Sequence, residues 1–292
     1  MSAGKLTSGA GTSHPPRAIK VRRIQFRYDT KPLDRHYVQG DLVMSHVVAV
    51  LSALFPQGED FFVRSVRHYA DRITDPDLKK AVAGFTGQEV SHGREHRALN
   101  DQLQLMGYPT HRIDRFTGKG FARAERLYPP RYRLAVTAAL EHYTAALAET
   151  LLSDPRAREV LGDTEVRSVL LWHALEESEH KAVAFDVYRA VGGTERMRIL
   201  AMCVTTCMFT GVLLLHTACS LLADRVAYHP VRLIASIAAL RHSPFLRPAV
   251  IRRLVAYLRP GFHPSDNDNT ALLEEWTVQL FGQQGSLTDR LA

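Results

Sequence analysis

Hydrophobic positions recur at helical spacing in four long segments of the chain. The clearest row covers residues 78–103, where apolar or core-type positions step by 4, 3, 4, 3, 4, 3 and 4 residues. Side chains at this spacing lie on one face of a helix and fill the space between neighbouring helices. A second clear row covers 166–187, and shorter rows cover 43–69 and 134–151. The pattern predicts an all-α protein built on four packed helices.

Prolines, glycines and polar stretches divide these rows. Pro56 and Gly58 interrupt the row over 43–69. They predict a kink or a restart there, because proline cannot complete the helical hydrogen-bond ladder. Asp75 followed by Pro76 predicts the start of the next helix. The polar and basic stretch 111–130 predicts a long connection between two helical hairpins, which a bundle of paired helices requires.

Each of the four rows carries an acidic residue at a position that faces the core. In the rows over 78–103 and 166–187 a histidine follows the acidic residue by three positions, so that both side chains project to the same side of the helix. One Glu-x-x-His pair is weak evidence, because most such pairs face solvent. Two pairs on core-facing rows, each preceded by a helix with its own acid, form a specific pattern. The residues are Glu59, Glu89 with His92, Glu141, and Glu177 with His180.

The chemistry of burial explains why this pattern points to metal. A carboxylate buried without a partner is strongly unfavourable, and the rows offer no lysine or arginine at these positions. Four carboxylates and two imidazoles from four helices match the ligand set of a dinuclear centre in a ferritin-like four-helix bundle. We therefore predict two iron ions as the cofactor. Manganese and zinc also suit these ligands, whereas the absence of thiolate ligands disfavours copper(I).

Two further histidines extend the rows by one helical turn. His96 follows His92 by four residues, and His173 precedes Glu177 by four. We assign both to the catalytic site, as extra ligands, as partners that orient a ligand, or as acid–base groups for a substrate. A hydrogen-bonded core histidine is the alternative interpretation. The nearby Glu95 lies off the row and is expected to face solvent.

These patterns divide the chain into three regions. Residues 1–35 are interpreted as a flexible basic arm, whose first part is rich in Gly, Ser, Thr and Pro and lacks the apolar run of a secretory signal. Residues 36–194 form the predicted ferritin-like bundle with its dinuclear metal centre. Residues 195–292 form a C-terminal helical extension that contains a long apolar helix. With 46% hydrophobic and 23% charged residues in 292, the composition is that of a globular protein.

The C-terminal region differs in character from the rest. Residues 199–223 carry no formal charge, and this run exceeds the roughly 20 residues that span a bilayer; a buried or oligomer-facing helix is the alternative. Residues 225–265 include several arginines and no acidic residue, and the whole chain has a net charge of +7. This arrangement favours a membrane surface or embedding through 199–260. No nucleic-acid motif accompanies the charge, and the three cysteines are expected to be buried reduced thiols.

Five segments resemble the bacterial family described as predicted metal-dependent hydrolases. The resemblance runs from about Val21 to the C-terminal helix and is specific in its motifs. They are the stretches 51–62 (LSALFPQGEDFF), 88–92 (QEVSH), 140–145 (LEHYTA), 172–188 (WHALEESEHKAVAFDVY) and 259–264 (RPGFHP). The family description implies hydrolysis, whereas the ligand set is more similar to that of di-iron oxidases and oxygenases.

Three functions follow from these observations. We predict first a di-iron enzyme that activates O2 and oxidises a small apolar or amphipathic molecule, with an external electron donor. The alternatives are a hydrolase in which two metals activate water, and non-enzymatic iron or manganese binding. A homodimer is expected, and the expected location is the cytoplasm, including attachment to or insertion in the inner membrane.

Overall fold

A computed structural model describes residues 19–28 and 33–292, and regular structure in this part of the chain is helical. The all-α prediction is therefore confirmed. Besides the helices, the described residues contain one isolated antiparallel bridge, between Ile24 and Leu291. Short 3₁₀ turns link several of the helices. The α-helices are α1 (Leu42–Arg67), α2 (Pro76–Leu105), α3 (Thr110–Leu127), α4 (Pro130–Ser153), α5 (Pro155–Val160), α6 (Glu165–His180), α7 (Val183–Ala190), α8 (Glu195–Leu222), α9 (Pro230–Ala239), α10 (Pro248–Ala256) and α11 (Thr270–Phe281).

Four helical segments surround a common interior, and we call them the helical core: α1, α2, α4, and α6 with α7. The helix α1 packs on α2, and α4 packs on α6 and α7. The two pairs meet where α1 lies against α4 and α2 lies against α6 and α7. Two apolar clusters fill the two ends of this interior, one around Leu99 and Trp172 and the other around Phe85 and Tyr188. The predicted metal ligands lie in the polar layer between these clusters.

The first helix passes through Pro56 without a break, which corrects the predicted restart. Proline at position 56 removes the N–H that would bond to the carbonyl of Ser52 four residues earlier. The side chain of Asn100 on α2 replaces that donor, since its Nδ2 lies 3.0 Å from the Ser52 carbonyl oxygen. A partner from the neighbouring helix therefore lets α1 continue.

Replacing Asn100 with alanine should lower the free energy of unfolding by about 1–3 kcal/mol, because the buried Ser52 carbonyl loses its donor. Urea unfolding measures this change. The matched control is the same substitution in a Pro56→Ala background, where residue 56 regains its own N–H. The loss should be smaller there, and an equal loss in both backgrounds would contradict the explanation.

Two helix boundaries differ from the sequence-based expectation. The connection over 111–130 is itself largely the helix α3, which packs on α1 and buries Ile113. The row over 166–187 is split between α6 and α7 at residues 181–182. At this break Lys181 Nζ donates to Glu149 Oε1 at 2.8 Å and to the Asn267 carbonyl at 2.7 Å. The break thus lies where a buried lysine ties α6 to α4 and to the C-terminal segment.

The N-terminal arm lies against α2 and α6 where the structure describes it. Residues 19–28 are extended, with alternate side chains buried. The arm approaches α2 closely, because a Cβ placed on Gly84 would lie 2.6 Å from Ile19 Cβ and one on Gly87 would lie 2.5 Å from Val21 Cγ2. Most of the predicted flexible tail, residues 1–18, and residues 29–32 of the predicted arm lie outside the described residues.

The long apolar helix α8 packs on α1 and α4 and leaves one side exposed. Among the described residues, α8 and the segment Leu42–Arg72 are long and apolar enough to span a membrane. They differ in burial: 72% of the apolar window in the first segment is buried, but only 17% of that in α8. Length and composition alone do not separate a core helix from a membrane helix. The prediction of buried thiols is wrong, because all three cysteines on α8 are exposed.

Candidate metal centre

All eight residues assigned from the sequence to the metal or catalytic site lie in one buried cluster, and none is more than 4% exposed. Four different helices contribute, because each helical row turns its polar positions toward the same interior layer. The helix α1 supplies Glu59, α2 supplies Glu89, His92 and His96, α4 supplies Glu141, and α6 supplies His173, Glu177 and His180.

The side chain of Gln88 fixes the ring of His180. Its amide nitrogen donates to the Lys20 carbonyl at 3.1 Å and to Glu179 Oε2 at 2.7 Å. Its amide oxygen is therefore the acceptor for His180 Nδ1 at 2.8 Å. An amide oxygen cannot donate, so Nδ1 of the neutral ring carries the proton and Nε2 carries the lone pair. That lone pair faces the carboxylates of the cluster.

The ring of His92 is fixed by a carboxylate in the same way. Its Nε2 lies 3.1 Å from Glu176 Oε2, and Arg22 Nη1 donates to Glu176 Oε1 at 3.0 Å. Because an ionised Glu176 only accepts, Nε2 of the neutral ring carries the proton and Nδ1 carries the lone pair. The arm residue Arg22 thus helps to aim the lone pair of His92 toward the cluster.

A chain of hydrogen bonds also fixes His173. Asn100 Nδ2 donates to the Ser52 carbonyl, so Asn100 Oδ1 accepts the Ser52 hydroxyl proton at 2.8 Å. Ser52 Oγ is then the acceptor for His96 Nδ1 at 2.9 Å, and His96 Nε2 accepts from His173 Nδ1 at 2.6 Å. This order leaves the lone pair of a neutral His173 on Nε2, toward the carboxylates. Both nitrogens of His96 are engaged, so His96 orients His173.

Two carboxylates lie between the imidazoles of His92 and His180. Glu89 Oε1 is 3.5 Å from His92 Nδ1 and 3.1 Å from His180 Nε2, and Glu177 Oε1 is 3.6 Å from both nitrogens. Glu177 Oε1 is also 2.8 Å from His173 Nε2. The cluster is therefore shared across the core instead of being divided into separate pairs.

The two remaining carboxylates lie at opposite ends of the cluster. Glu141 Oε2 lies 3.4 Å from His180 Nε2. Glu59 Oε1 lies 3.8 Å from His173 Nε2, and Glu59 also shares a compact ligand group with Glu89 and His92. Each end thus has one further acid beside its own imidazoles.

Many polar atoms of the cluster, most of them carboxylate oxygens, lack the hydrogen-bond partners that buried atoms normally have. Although His180 Nε2 is close to Glu89 Oε1, neither atom forms a hydrogen bond of suitable geometry. Among the described residues, no lysine or arginine forms an ion pair with the four carboxylates of the cluster. The buried atoms without a hydrogen bond include both oxygens of Glu59, Glu89 and Glu141, together with Glu177 Oε2, His92 Nδ1 and His180 Nε2.

The pKa values of the cluster reflect this excess of negative charge. Burial raises the pKa of Glu59 well above its ordinary value, and the charge on Glu89 adds to the effect. Burial also raises the pKa of Glu141 to about 8, against the opposing contact with His180. Burial alone would lower the pKa of His92, but its contacts with Glu176 and Glu89 raise it to about 10. Binding of a metal would displace such protons, because carboxylate and imidazole ligands must be deprotonated.

These residues fit a metal ion on chemical grounds. Lone pairs of three imidazoles and the oxygens of four carboxylates converge on one dry layer. His173 Nε2 and Glu177 Oε1 lie 2.8 Å apart, a contact that only a shared proton or a cation makes favourable. Oxygen and imidazole ligands suit iron, manganese or zinc.

Comparison with known proteins assigns the family. The profile of a family described as "Predicted metal-dependent hydrolase" matches residues 20–268, which is most of the chain and includes the whole cluster. The chain belongs to this family. No curated protein and no solved structure gives a significant match. The family description thus confirms the resemblance of the sequence motifs and implies dependence on a metal ion, but it fixes neither the metal nor the number of ions.

Several residues that orient or surround the candidate ligands were not predicted from the sequence. Gln88 and Arg22 have no periodicity that marks them as partners of histidines more than 60 positions away. Glu95 is 2% exposed and not solvated, because its carboxylate accepts from the Phe26 N–H at 3.1 Å and from Arg94 at 2.8 Å. For Gln88, the one available signal in the sequence was its position directly before the Glu89/His92 pair.

Replacing Gln88 with leucine should weaken metal binding by about 10–100-fold, as is usual when a ligating histidine loses the partner that orients it. The ring of His180 would then be free to rotate or to change tautomer. Competition with a chromophoric chelator measures the affinity. The control Gln102→Leu changes the same residue type elsewhere on α2 and should leave the affinity unchanged.

Proposed function

We propose that the protein is a hydrolase that works with two metal ions bound in the candidate metal centre. The observation that carries the proposal is the position of Glu89 and Glu177 between His92 and His180. A carboxylate that faces a ligating imidazole on each side can bridge two ions, as in ferritin-like dinuclear centres. The family description supports hydrolysis as the reaction type.

The proposed ligands divide into two sets around these bridging residues. One ion would be held by Glu59, His92 and His173, and the other by Glu141 and His180. The imidazole of His173 is an addition to the six-residue ferritin-like set. It is included because the hydrogen bonds that run from Asn100 through Ser52 and His96 leave the lone pair of a neutral His173 on Nε2. His96 is then a positioning residue that does not itself ligate.

Two such ions supply activation of a water molecule and polarisation of an ester or phosphoryl group. The residues of the chain hold the ligands rigidly, since Gln88, Glu176 and His96 each fix one imidazole. Aromatic rings border the ligands, with Phe55 4.8 Å from His173 and Phe85 5.0 Å from His180 between ring centroids. This border favours a small apolar or amphipathic ester over a fully polar substrate.

Dioxygen chemistry at two iron ions is the second candidate, and the depth of the site favours it. None of the eight cluster residues is more than 4% exposed. Exclusion of bulk water protects reactive species from side reactions. An electron donor would be required for this reaction. Non-enzymatic storage of iron or manganese is the third alternative.

The test uses the full chain, stripped of metal and reloaded anaerobically with zinc, manganese or ferrous iron. Two kinds of substrate are used: aryl esters with acyl chains of increasing length, and aryl phosphates. The hydrolase proposal predicts turnover without oxygen, supported by zinc or manganese and lost in Glu177→Gln. The matched control Glu125→Gln alters a surface acid on α3 and should retain activity.

Other outcomes separate the alternatives. Oxygen consumption that requires iron and a reductant, with no anaerobic turnover, would contradict hydrolysis and support the second candidate. Uptake of many iron ions per chain without either activity would support storage.

A further inference from the structure

The outward side of α8 is largely apolar, which is unusual for a helix at a protein surface. The side that packs on α1 and α4 is mixed: it buries the polar residues Arg198, Thr205, Thr217 and Ser220 together with Ala201 and Met202. The outward side has large aliphatic residues that are 40–68% exposed. These are Leu200, Val204, Met208, Leu214, Leu215 and Leu222.

Exposed aliphatic side chains also lie on the two helices that follow, α9 and α10, which pack on α1 and α4 respectively, the same two helices that α8 packs on. Val231, Ile234 and Ile237 on α9 are 80%, 66% and 52% exposed, and Ile251 and Val255 on α10 are 53% and 54% exposed. We call the exposed apolar residues of α8, α9 and α10 the outer apolar face. Such a concentration of exposed aliphatic side chains marks an interaction surface.

Positive charge accompanies the outer apolar face. Residues 225–265 contain seven arginines and no acidic residue or lysine. Three of these arginines have carboxylates within 4 Å: Arg247 near Asp154, Arg253 near Glu149, and Arg259 near Asp266. Among the described residues, Arg225, Arg232, Arg241 and Arg252 have no ion-pair partner. Their charge is available for an anionic partner.

Both ends of α8 are tied to the rest of the protein. At its start the buried Arg198 donates to the carbonyls of Tyr257 and Arg259. Directly after its end the buried Asp224 accepts from Arg35 Nε at 3.1 Å, and His46 Nε2 lies 3.2 Å away. Between these ends α8 lies along α1 and α4, so it cannot leave the helical core to cross a bilayer alone.

We propose that the outer apolar face docks onto the surface of an anionic lipid bilayer, with α8 parallel to the membrane plane. The aliphatic side chains enter the acyl boundary, and the arginines contact lipid phosphates. A second copy of the chain suits the face less well. In a two-fold dimer the same patch would face itself, so arginines would meet arginines with no acid in 225–265 to pair with them.

Flotation of the full-length, metal-loaded chain with vesicles tests this proposal independently of the metal chemistry. Vesicles of equal parts phosphatidylcholine and phosphatidylglycerol should bind the protein, whereas vesicles of phosphatidylcholine alone should bind it much more weakly. Binding should also weaken as salt rises, because salt screens the attraction between arginines and lipid phosphates.

Three variants separate the parts of the surface. Arg232→Ala with Arg252→Ala should weaken binding by about 10-fold or more, because each arginine near an anionic surface contributes roughly fivefold. Leu214→Ser with Leu215→Ser should weaken it through loss of apolar insertion. Lys79→Ala with Lys80→Ala removes the same charge from α2 and should bind like the natural chain.

The remaining outcomes overturn the proposal. One is a stable dimer in solution that does not bind vesicles and that Leu214→Ser with Leu215→Ser converts to a monomer; the face would then bind a second copy. The other is a monomer that binds neither vesicle type. Thermal unfolding of each variant checks that lost binding does not reflect lost folding.

Discussion

Replacing Glu89 with glutamine should abolish high-affinity binding of metal and lower the affinity by more than about 100-fold. The expected loss exceeds the 10–100-fold effect of removing a partner that only orients a ligand. Glu89 lies between the nitrogens of His92 and His180, so the amide would remove a charged donor from both halves of the centre. Its NH2 group would also place a donor where a cation must bind.

Metal content after anaerobic loading and titration calorimetry measure this effect. Glu95→Gln is a closely matched control, because Glu95 is also a buried acid on α2 but contacts Phe26 and Arg94 and not the cluster. The control should load metal like the natural chain. Normal loading of the Glu89→Gln chain would show that the metal lies elsewhere.

Replacing Arg22 with alanine should lower the free energy of unfolding by about 3–5 kcal/mol, because it breaks a buried ion pair and leaves carboxylates without compensation. The Arg22 side chain is 3% exposed, and its guanidinium contacts Glu176 at 3.0 Å and Glu179 at 2.6 Å. The same change should weaken metal binding, since Glu176 would no longer be held against His92.

Urea unfolding of the metal-loaded chain measures the loss. Arg23→Ala is the control, because the neighbouring side chain is exposed and such changes usually stay within about 0.5 kcal/mol. An equal effect of the two substitutions would show that the arm does not support the site.

The meeting of the candidate ligands in one layer could be predicted from the sequence because helix periodicity is local. Glu89 and His92 lie three residues apart on a regular row, and the backbone alone brings their side chains to the same side. Glu59 could be assigned in spite of Pro56, although the reason that α1 continues is the remote Asn100. The break after His180 could not be predicted, because Lys181 finds its partners on α4 and in the C-terminal segment.

The partners that aim the imidazoles depended on tertiary structure. Gln88 reaches His180 across 92 positions, and Arg22 reaches Glu176 across 154. No spacing rule relates such residues, since their approach depends on how helices and arm pack. The direction that α8 faces was equally inaccessible, because its apolar residues surround most of the helix and leave no clear inner side.

The sequence by itself determined the helical class, the rows that meet in the interior and the eight polar residues that those rows carry. These features follow from interactions among residues a few positions apart. Only the tertiary structure decided which nitrogen of each imidazole faces the cluster, which carboxylates are shared, and which side of α8 is left exposed. Each of these depends on contacts between segments far apart in the chain, and only the packing of the folded protein brings such segments together.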